Sequence, residues 1–280
     1  MSLSFAKPTT RTIIRTLIPI GTALLAFVVT GFLLLAGGFD PLEAYGLILQ
    51  GSVGGVREGG ETLVRTTSLL LTGLAVGFAF RCKIWNIGAE GQLYFGAIGA
   101  VVIALTVVGQ IPVFGIIIAI IFAMIFGAGW AAIAGVLKSR LGVNEIIVTV
   151  MLNFIAILFV DFLVHGALKA PGFEPQTALI PLTSQLPILI EGTRLHAGFL
   201  VAIAAAVLIY LILFKTKTGF SLRATGVNPK ASGYAGINVK RSILLTLLIS
   251  GAVAGIAGAC LVQGVNDRLL VGISPGYGFI

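Results

Sequence analysis

Charged side chains are scarce in this 280-residue chain: Asp, Glu, Lys and Arg make up 10% of it, against 58% hydrophobic residues. A soluble domain carries roughly 25% charged residues, so a soluble enzyme is excluded. Cysteine is almost absent, and Cys82 and Cys260 stand too far apart in sequence for a metal or redox spacing, which excludes a disulfide framework. Only two histidines occur, His165 and His196, and both read as loop residues rather than ligands, so no metal site is expected. The chain has no G-x-x-x-x-G-K-[ST] phosphate loop and no metalloprotease motif. The net charge of +8 does not signal nucleic-acid binding, because the cations sit in short connections and form no basic face.

What is present is apolar sequence in long runs, with a mean hydropathy of +1.09. Runs at about 18–36, 66–80, 91–108, 113–137, 146–164, 197–214 and 242–265 approach the roughly 20 residues that cross a bilayer as helix, giving about seven spans. The first is longer than a signal-peptide core and reads as an uncleaved helix. Residues 44–55 are apolar and glycine-rich but too short to span, which suits a re-entrant or surface helix. Numbering the connections alternately puts Lys7, Arg11, Arg15, Arg81, Lys83, Lys138, Arg140, Lys215, Lys217, Arg223, Lys230, Lys240 and Arg241 on one side. Arg57, Arg65, Lys169, Arg194 and Arg268 fall on the other, a division of 13 against 5. Lys and Arg concentrate in cytoplasmic loops, so the first set is expected inside, with the amino terminus. Glycine is abundant at 37 residues, as in Gly73-Leu-Ala-Val-Gly77 and Gly251-Ala-Val-Ala-Gly255. Such spacing lets helix backbones approach closely in lipid, and packing within the chain accounts for it. The outer loop 165–194 carries Pro171, Pro175, Pro181 and Pro187, which argue against a long helix and leave a lid or a docking surface as its role.

The connection 215–241 far exceeds a turn between two spans. Within it, Asn228 can cap free amides, Pro229 fits a first helical position and Gly236 is a stop about two turns later, so a short helix is expected under the membrane. Its small residues around one aromatic, Tyr234, suit either a groove on another protein or lipid headgroups. The run Leu222-Arg-Ala-Thr-Gly-Val-Asn-Pro-Lys-Ala-Ser-Gly-Tyr-Ala-Gly-Ile237 resembles the cytoplasmic coupling region of ABC importer permeases for branched-chain amino acids, simple sugars and nucleosides. The resemblance implies that Asn228, Pro229, Tyr234 and Gly236 form a coupling helix that docks in a cleft of an ATPase subunit, with Arg223 and Gly226 in its approach. The EAA-type loop of maltose-type importers is not visible.

A second stretch, 80–93, places Asn86, Glu90 and Gln92 at the mouth of an apolar helix. A charge at a helix centre costs about 2.5–3.5 kcal/mol on insertion scales, so Glu90 is expected to face protein, water or the interface. Asn86 to Gln92 resembles the N-I-G-x-E-G-Q signature of the nucleoside and simple-sugar branch of the same family; substrate contact and the capping of a broken helix both remain open for these residues. In a third set Glu145, Thr149 and Asn153 recur every four residues, a polar stripe expected to face the bundle interior. Here too a sugar or ribose pathway competes with interhelical hydrogen bonding. The former is favoured slightly for Asn153 and the latter for Thr149.

The expectation is therefore an all-α polytopic helix bundle, a single transmembrane permease domain over residues 1–280, with the type II-like ABC importer permease fold that the resemblance implies. The resemblance further implies an importer of nucleosides or simple sugars in a bacterial plasma membrane. Its partners would be a cytoplasmic ABC ATPase using ATP and Mg2+, a second permease and an extracytoplasmic binding protein; the chain itself would hold no cofactor. Family members continue through further spans beyond residue 280, so a missing carboxyl-terminal part or an unusually short chain is expected. An ion-coupled secondary transporter, with Glu90 and Glu145 as intramembrane carboxylates, is the alternative. A membrane enzyme of lipid chemistry would need clustered Asp, His or Arg, which the sequence lacks.

Overall fold

A computed structural model describes residues 10–280. Ten α-helices run in the order α1 (Thr10–Ala36), α2 (Pro41–Val53), α3 (Val56–Arg81), α4 (Ala89–Ala104), α5 (Phe114–Leu141), α6 (Glu145–His165), α7 (Gly198–Lys215), α8 (Lys217–Val227), α9 (Pro229–Tyr234) and α10 (Val239–Leu261). Two short 3-10 turns, Val107–Gln110 and Leu182–Ser184, and a π-helical turn, Val262–Asn266, complete the described helical elements. Strand pairing among the described residues is limited to two isolated bridges, Gln176 with Leu270 and Ile188 with His196. The chain divides into a unit ending at Gly59 and a unit Gly60–Ile280.

In the first unit, α1 turns at Gly37 and Gly38 into α2, which Asp40 starts by accepting a hydrogen bond from the Leu42 amide at 2.8 Å, with Pro41 as its first residue. The Tyr45 hydroxyl donates to the Phe27 carbonyl and the two rings meet edge-on at 5.6 Å. The short run 44–55 is thus a helix, as its composition implies. Lys7, one of the cations that assign the amino terminus to the cytoplasm, lies outside the described residues.

Among the described residues, six helices are long and apolar enough to cross a membrane, and each coincides with an expected span. The seventh differs. Expected over 91–108, it is α4 of 16 residues, about 24 Å at 1.5 Å per residue and short of the roughly 30 Å hydrocarbon core. Its chain turns back sharply after Ala104, because Gly109 lies so close to the Ala104 carbonyl that a Cβ there would stand 1.9 Å from the oxygen. At its other end, residues 82–88 are not helical.

The core of the second unit is where α4, α5 and α10 meet, and small residues make it. A Cβ on Gly96 would stand 2.4 Å from Gly255 Cα, and one on Gly255 would stand 2.2 Å from the Ala123 carbonyl oxygen. Hydrophobicity drives little association between helices in lipid, so this backbone proximity supplies the packing. Gly251, Gly255 and Gly258 therefore pack within the chain, whereas Gly73 and Gly77 of α3 meet no atom within 4 Å of an added Cβ and face open space. α6 and α7 bury one stripe each, Ala156, Val160 and Val164 in one and Ala202, Ile209 and Leu213 in the other. They expose Phe154, Leu158, Phe162, Leu200 and Val207 opposite.

Connections gather at two ends. At one, Lys138 at the end of α5 pairs with Glu145 at the start of α6, and α8 abuts Cys82. At the other, Thr183 and Ser184 both donate to the Gly109 carbonyl at 2.7 Å, and Gln263 Nε2 donates to Ser184 O at 2.8 Å. The proline-bearing loop forms no long helix, in line with its composition.

Candidate functional site: a broken helix and a short helix pair

Non-helical backbone removed from water must find partners for its amides and carbonyls. In the non-helical segment 82–88, the Trp85, Ile87 and Gly88 amides and the Ile87 carbonyl find theirs on side chains that the sequence singles out. Asn86 Oδ1 accepts from the Gly88 amide at 3.0 Å, while its Nδ2 donates to Gln92 Oε1 at 3.0 Å and to Ser250 Oγ at 2.8 Å. Gln92 Nε2 returns a bond to Asn86 Oδ1 at 3.0 Å, and Ser250 passes its own proton to the Ala75 carbonyl at 2.7 Å. The break is thereby tied to α3, α4 and α10 together.

The stripe on α6 closes the other side. Asn153 Oδ1 accepts from the Gly91 amide at 2.8 Å and its Nδ2 donates to the Ile87 carbonyl at 2.7 Å. Thr149 Oγ1 accepts from the Ile87 amide at 3.3 Å and donates to the Glu145 carbonyl at 2.7 Å. Glu145 Oε1 takes the Trp85 amide at 3.5 Å while Lys138 holds Oε2 at 2.5 Å. Glu145, Thr149 and Asn153 are all buried, so the stripe faces the bundle interior. Glu90, also buried, accepts from the Gly278 amide at 2.7 Å, fixing a non-helical segment against the start of α4. Thr72 Oγ1 donates to the neighbouring Tyr277 carbonyl at 3.0 Å.

The structure thus brings Asn86, Glu90, Gln92, Glu145 and Asn153 to one locus, the start of α4. Their polar atoms are engaged with backbone, with one another, or with the side chains of Ser250 and Lys138. Of the five, Asn86 lines the cavity of about 700 Å³ that opens beside α3, along with Thr72, Gly73, Gly77, Ile87 and Tyr277. Sequence reasoning missed Ser250 and Lys138. Ser250 is a hydroxyl amid the apolar, glycine-rich α10, and Lys138 stands seven residues before Glu145 across the left-handed turn at Gly142.

The expected short helix is α9. Asn228 Oδ1 accepts from the Ala231 amide at 3.0 Å, Pro229 is its first residue, and Gly236 adopts φ +79° after its end. Asn228, Pro229 and Gly236 are exposed, and Tyr234 is 95% exposed. Arg223 and Gly226 differ from these four, because both turn toward their own chain. The Arg223 guanidinium lies 5.0 Å from the centre of the Phe214 ring. Gly226 lies against the Cys82 carbonyl, where a Cβ would stand 2.2 Å from the oxygen. Burial pushes the Cys82 thiol up to about 11, although a hydrogen bond with Thr246 pulls the other way.

A model of the family described as branched-chain amino acid transport system / permease component matches residues 60–280. The chain is 37% identical over 269 residues to the guanosine ABC transporter permease protein NupP of Bacillus subtilis, covering 94% of this chain and 76% of that protein. It is 33% identical to the nucleoside ABC transporter permease protein NupB of Lactococcus lactis, over 87% of this chain and 70% of the other. It is also 33% identical to the glucose ABC transporter permease protein TsgB13 of Haloferax volcanii, over 93% and 71%. No solved structure matches.

Proposed function

This chain belongs to the family of branched-chain amino acid transport system permease components, a multi-pass membrane protein that transports rather than catalyses, and we propose that it carries nucleosides or simple sugars inward in an ATP-driven importer. In this reading a cytoplasmic ATPase uses ATP and Mg2+, a second permease completes the pathway, and an extracytoplasmic protein delivers the substrate. The amino terminus is cytoplasmic and the membrane is the bacterial plasma membrane. The observation that carries the reading is α9: a capped helix at the end where cations concentrate, whose aromatic residue, Tyr234, meets solvent over nearly all its surface. An exposed aromatic surrounded by small residues fits a cleft on a partner protein. The similarity to guanosine, nucleoside and glucose permeases supports the substrate class.

Asn86, Glu90, Gln92, Glu145 and Asn153 shape the pathway by fixing the break before α4, and Asn86 borders it. Discontinuous helices of this kind surround substrate sites in transporters because their ends offer backbone groups near mid-membrane. The test is co-purification in detergent with candidate ATPase subunits, wild type against Pro229→Asp with Tyr234→Asp. Association in the wild type, lost in a variant that still elutes as a folded monodisperse protein, is the expected result. A wild type that binds no ATPase, with uptake that collapses when the ion gradient is dissipated, would promote the secondary-transporter alternative.

A further inference from the structure

α8 meets the non-helical segment before α4 directly, backbone to backbone. We propose that Gly226, the penultimate residue of α8, is the bearing through which movement of α9 reaches the non-helical segment 82–88. The inference rests on the importer reading above. Three observations carry it. First, the approach is backbone to backbone: an added Cβ at Gly226 would stand 2.2 Å from the Cys82 oxygen and 2.5 Å from its carbon, so no other residue fits without displacing the turn. Second, the turn it meets is held in a conformation that L side chains rarely adopt, with Lys83 at φ +58°. That turn closes the end of α3, with the Ile84 amide donating to the Ala79 carbonyl at 3.0 Å and the Lys83 amide to the Phe80 carbonyl at 2.9 Å, and beyond it the Trp85 amide donates to Glu145 at 3.5 Å. Third, a void of about 130 Å³ lies beside the contact, lined by Cys82, Lys83, Thr225, Gly226, Pro229 and Thr246 among others. The buried Thr225 Oγ1 has no hydrogen-bond partner there. The contact is therefore made by shape with room to slide, and not by directional bonds.

The linkage that follows is short. A push on α9 is transmitted across Asn228, which caps α9 and ends α8, to Gly226 two residues earlier. Gly226 bears on Cys82, and four residues on, Asn86 lines the large cavity. Gly226 is thus a positioning residue for transport, not part of the surface that binds the ATPase.

The test uses the assembled complex in proteoliposomes, with radiolabelled guanosine, or glucose where guanosine is not carried. Gly226→Val is expected to retain ATP hydrolysis within about twofold of wild type while substrate moved per ATP falls at least tenfold; Gly226→Ala should fall about threefold. Wild-type transport per ATP in both would overturn the proposal. A second readout needs no substitution. Maleimide labelling of Cys82, located by peptide mass spectrometry, is expected to change at least threefold in rate between the nucleotide-free complex and the complex with a non-hydrolysable ATP analogue. Equal rates in the two states would overturn the proposal even where Gly226→Val fails to assemble. Absence of any associating ATPase would instead remove the importer reading itself, which separates the two failures.

Discussion

Asn153 offers the sharpest separation of a structural role from a substrate role. Its carboxamide is fully buried and makes two short hydrogen bonds, accepting from the Gly91 amide at 2.8 Å and donating to the Ile87 carbonyl at 2.7 Å. Asn153→Ala leaves both backbone groups unpaired in a site that Leu152 and Trp130 close from the other side. Each orphaned group costs about 1–3 kcal/mol, so the pair costs about 2–6 kcal/mol. At roughly 2–4 °C per kcal/mol, the apparent melting temperature in detergent should drop by about 5–20 °C. The two buried thiols, Cys82 and Cys260, supply the assay, since a thiol-reactive dye reports their exposure on unfolding. Asn153→Asp keeps the acceptor for Gly91 but loses the donor to Ile87, and its carboxylate adds the cost of a buried charge, so it should also melt below wild type. An Asn153→Ala variant that melts within about 2 °C of wild type would refute the structural assignment; loss of uptake at unchanged stability would point to substrate contact instead.

Two other perturbations probe different parts of the molecule. Gly255→Ala brings a Cβ to 2.2 Å from the Ala123 carbonyl oxygen, forcing α5 and α10 apart. Overpacking of this kind costs about 1–3 kcal/mol, so melting should fall, and an unchanged melting temperature would show that these helices are not in close contact. His196, just ahead of α7, is held by burial, with Arg194 adding to the effect, at a pKa of about 4. Because that is below its unfolded value, the unfolded chain binds more protons between about pH 6.5 and pH 4, and stability falls as pH falls through that window. The drop to pH 4.5 should approach about 2–3 kcal/mol and be blunted in His196→Gln; the same acid sensitivity in both would contradict it.

Much of the fold is legible because membrane helices are specified locally. Span positions follow from apolar runs. α9 is legible for the same reason: Asn228, Pro229 and Gly236 are start and stop signals within one segment. α8 is less so, since it reads as part of a long connection; Thr216, which accepts from the Gly219 amide at 3.0 Å, is the cap that announces it. The premature end of α4 is hidden because the apolar run continues through residues 105–108, while the chain folds back locally, with Gly109 set against the Ala104 carbonyl five residues earlier. The polar residues of the site stand out against an apolar background, but their partners do not. Asn86 meets Ser250 across 164 residues, and Glu90 meets Gly278 across 188, separations that no local pattern encodes. Likewise the inward turn of Gly226 depends on where Cys82 lies in space.

The central claim, ATP-driven import through this chain, is tested most directly in proteoliposomes holding the permease pair and its ATPase, with the binding protein outside. Uptake of radiolabelled guanosine is measured with ATP and Mg2+ enclosed at the ATPase side, with and without ionophores that abolish ion gradients. The account predicts uptake that requires enclosed ATP, persists with ionophores and disappears with Pro229→Asp and Tyr234→Asp combined. Uptake that proceeds without ATP and ceases when the ion gradient is abolished would contradict it.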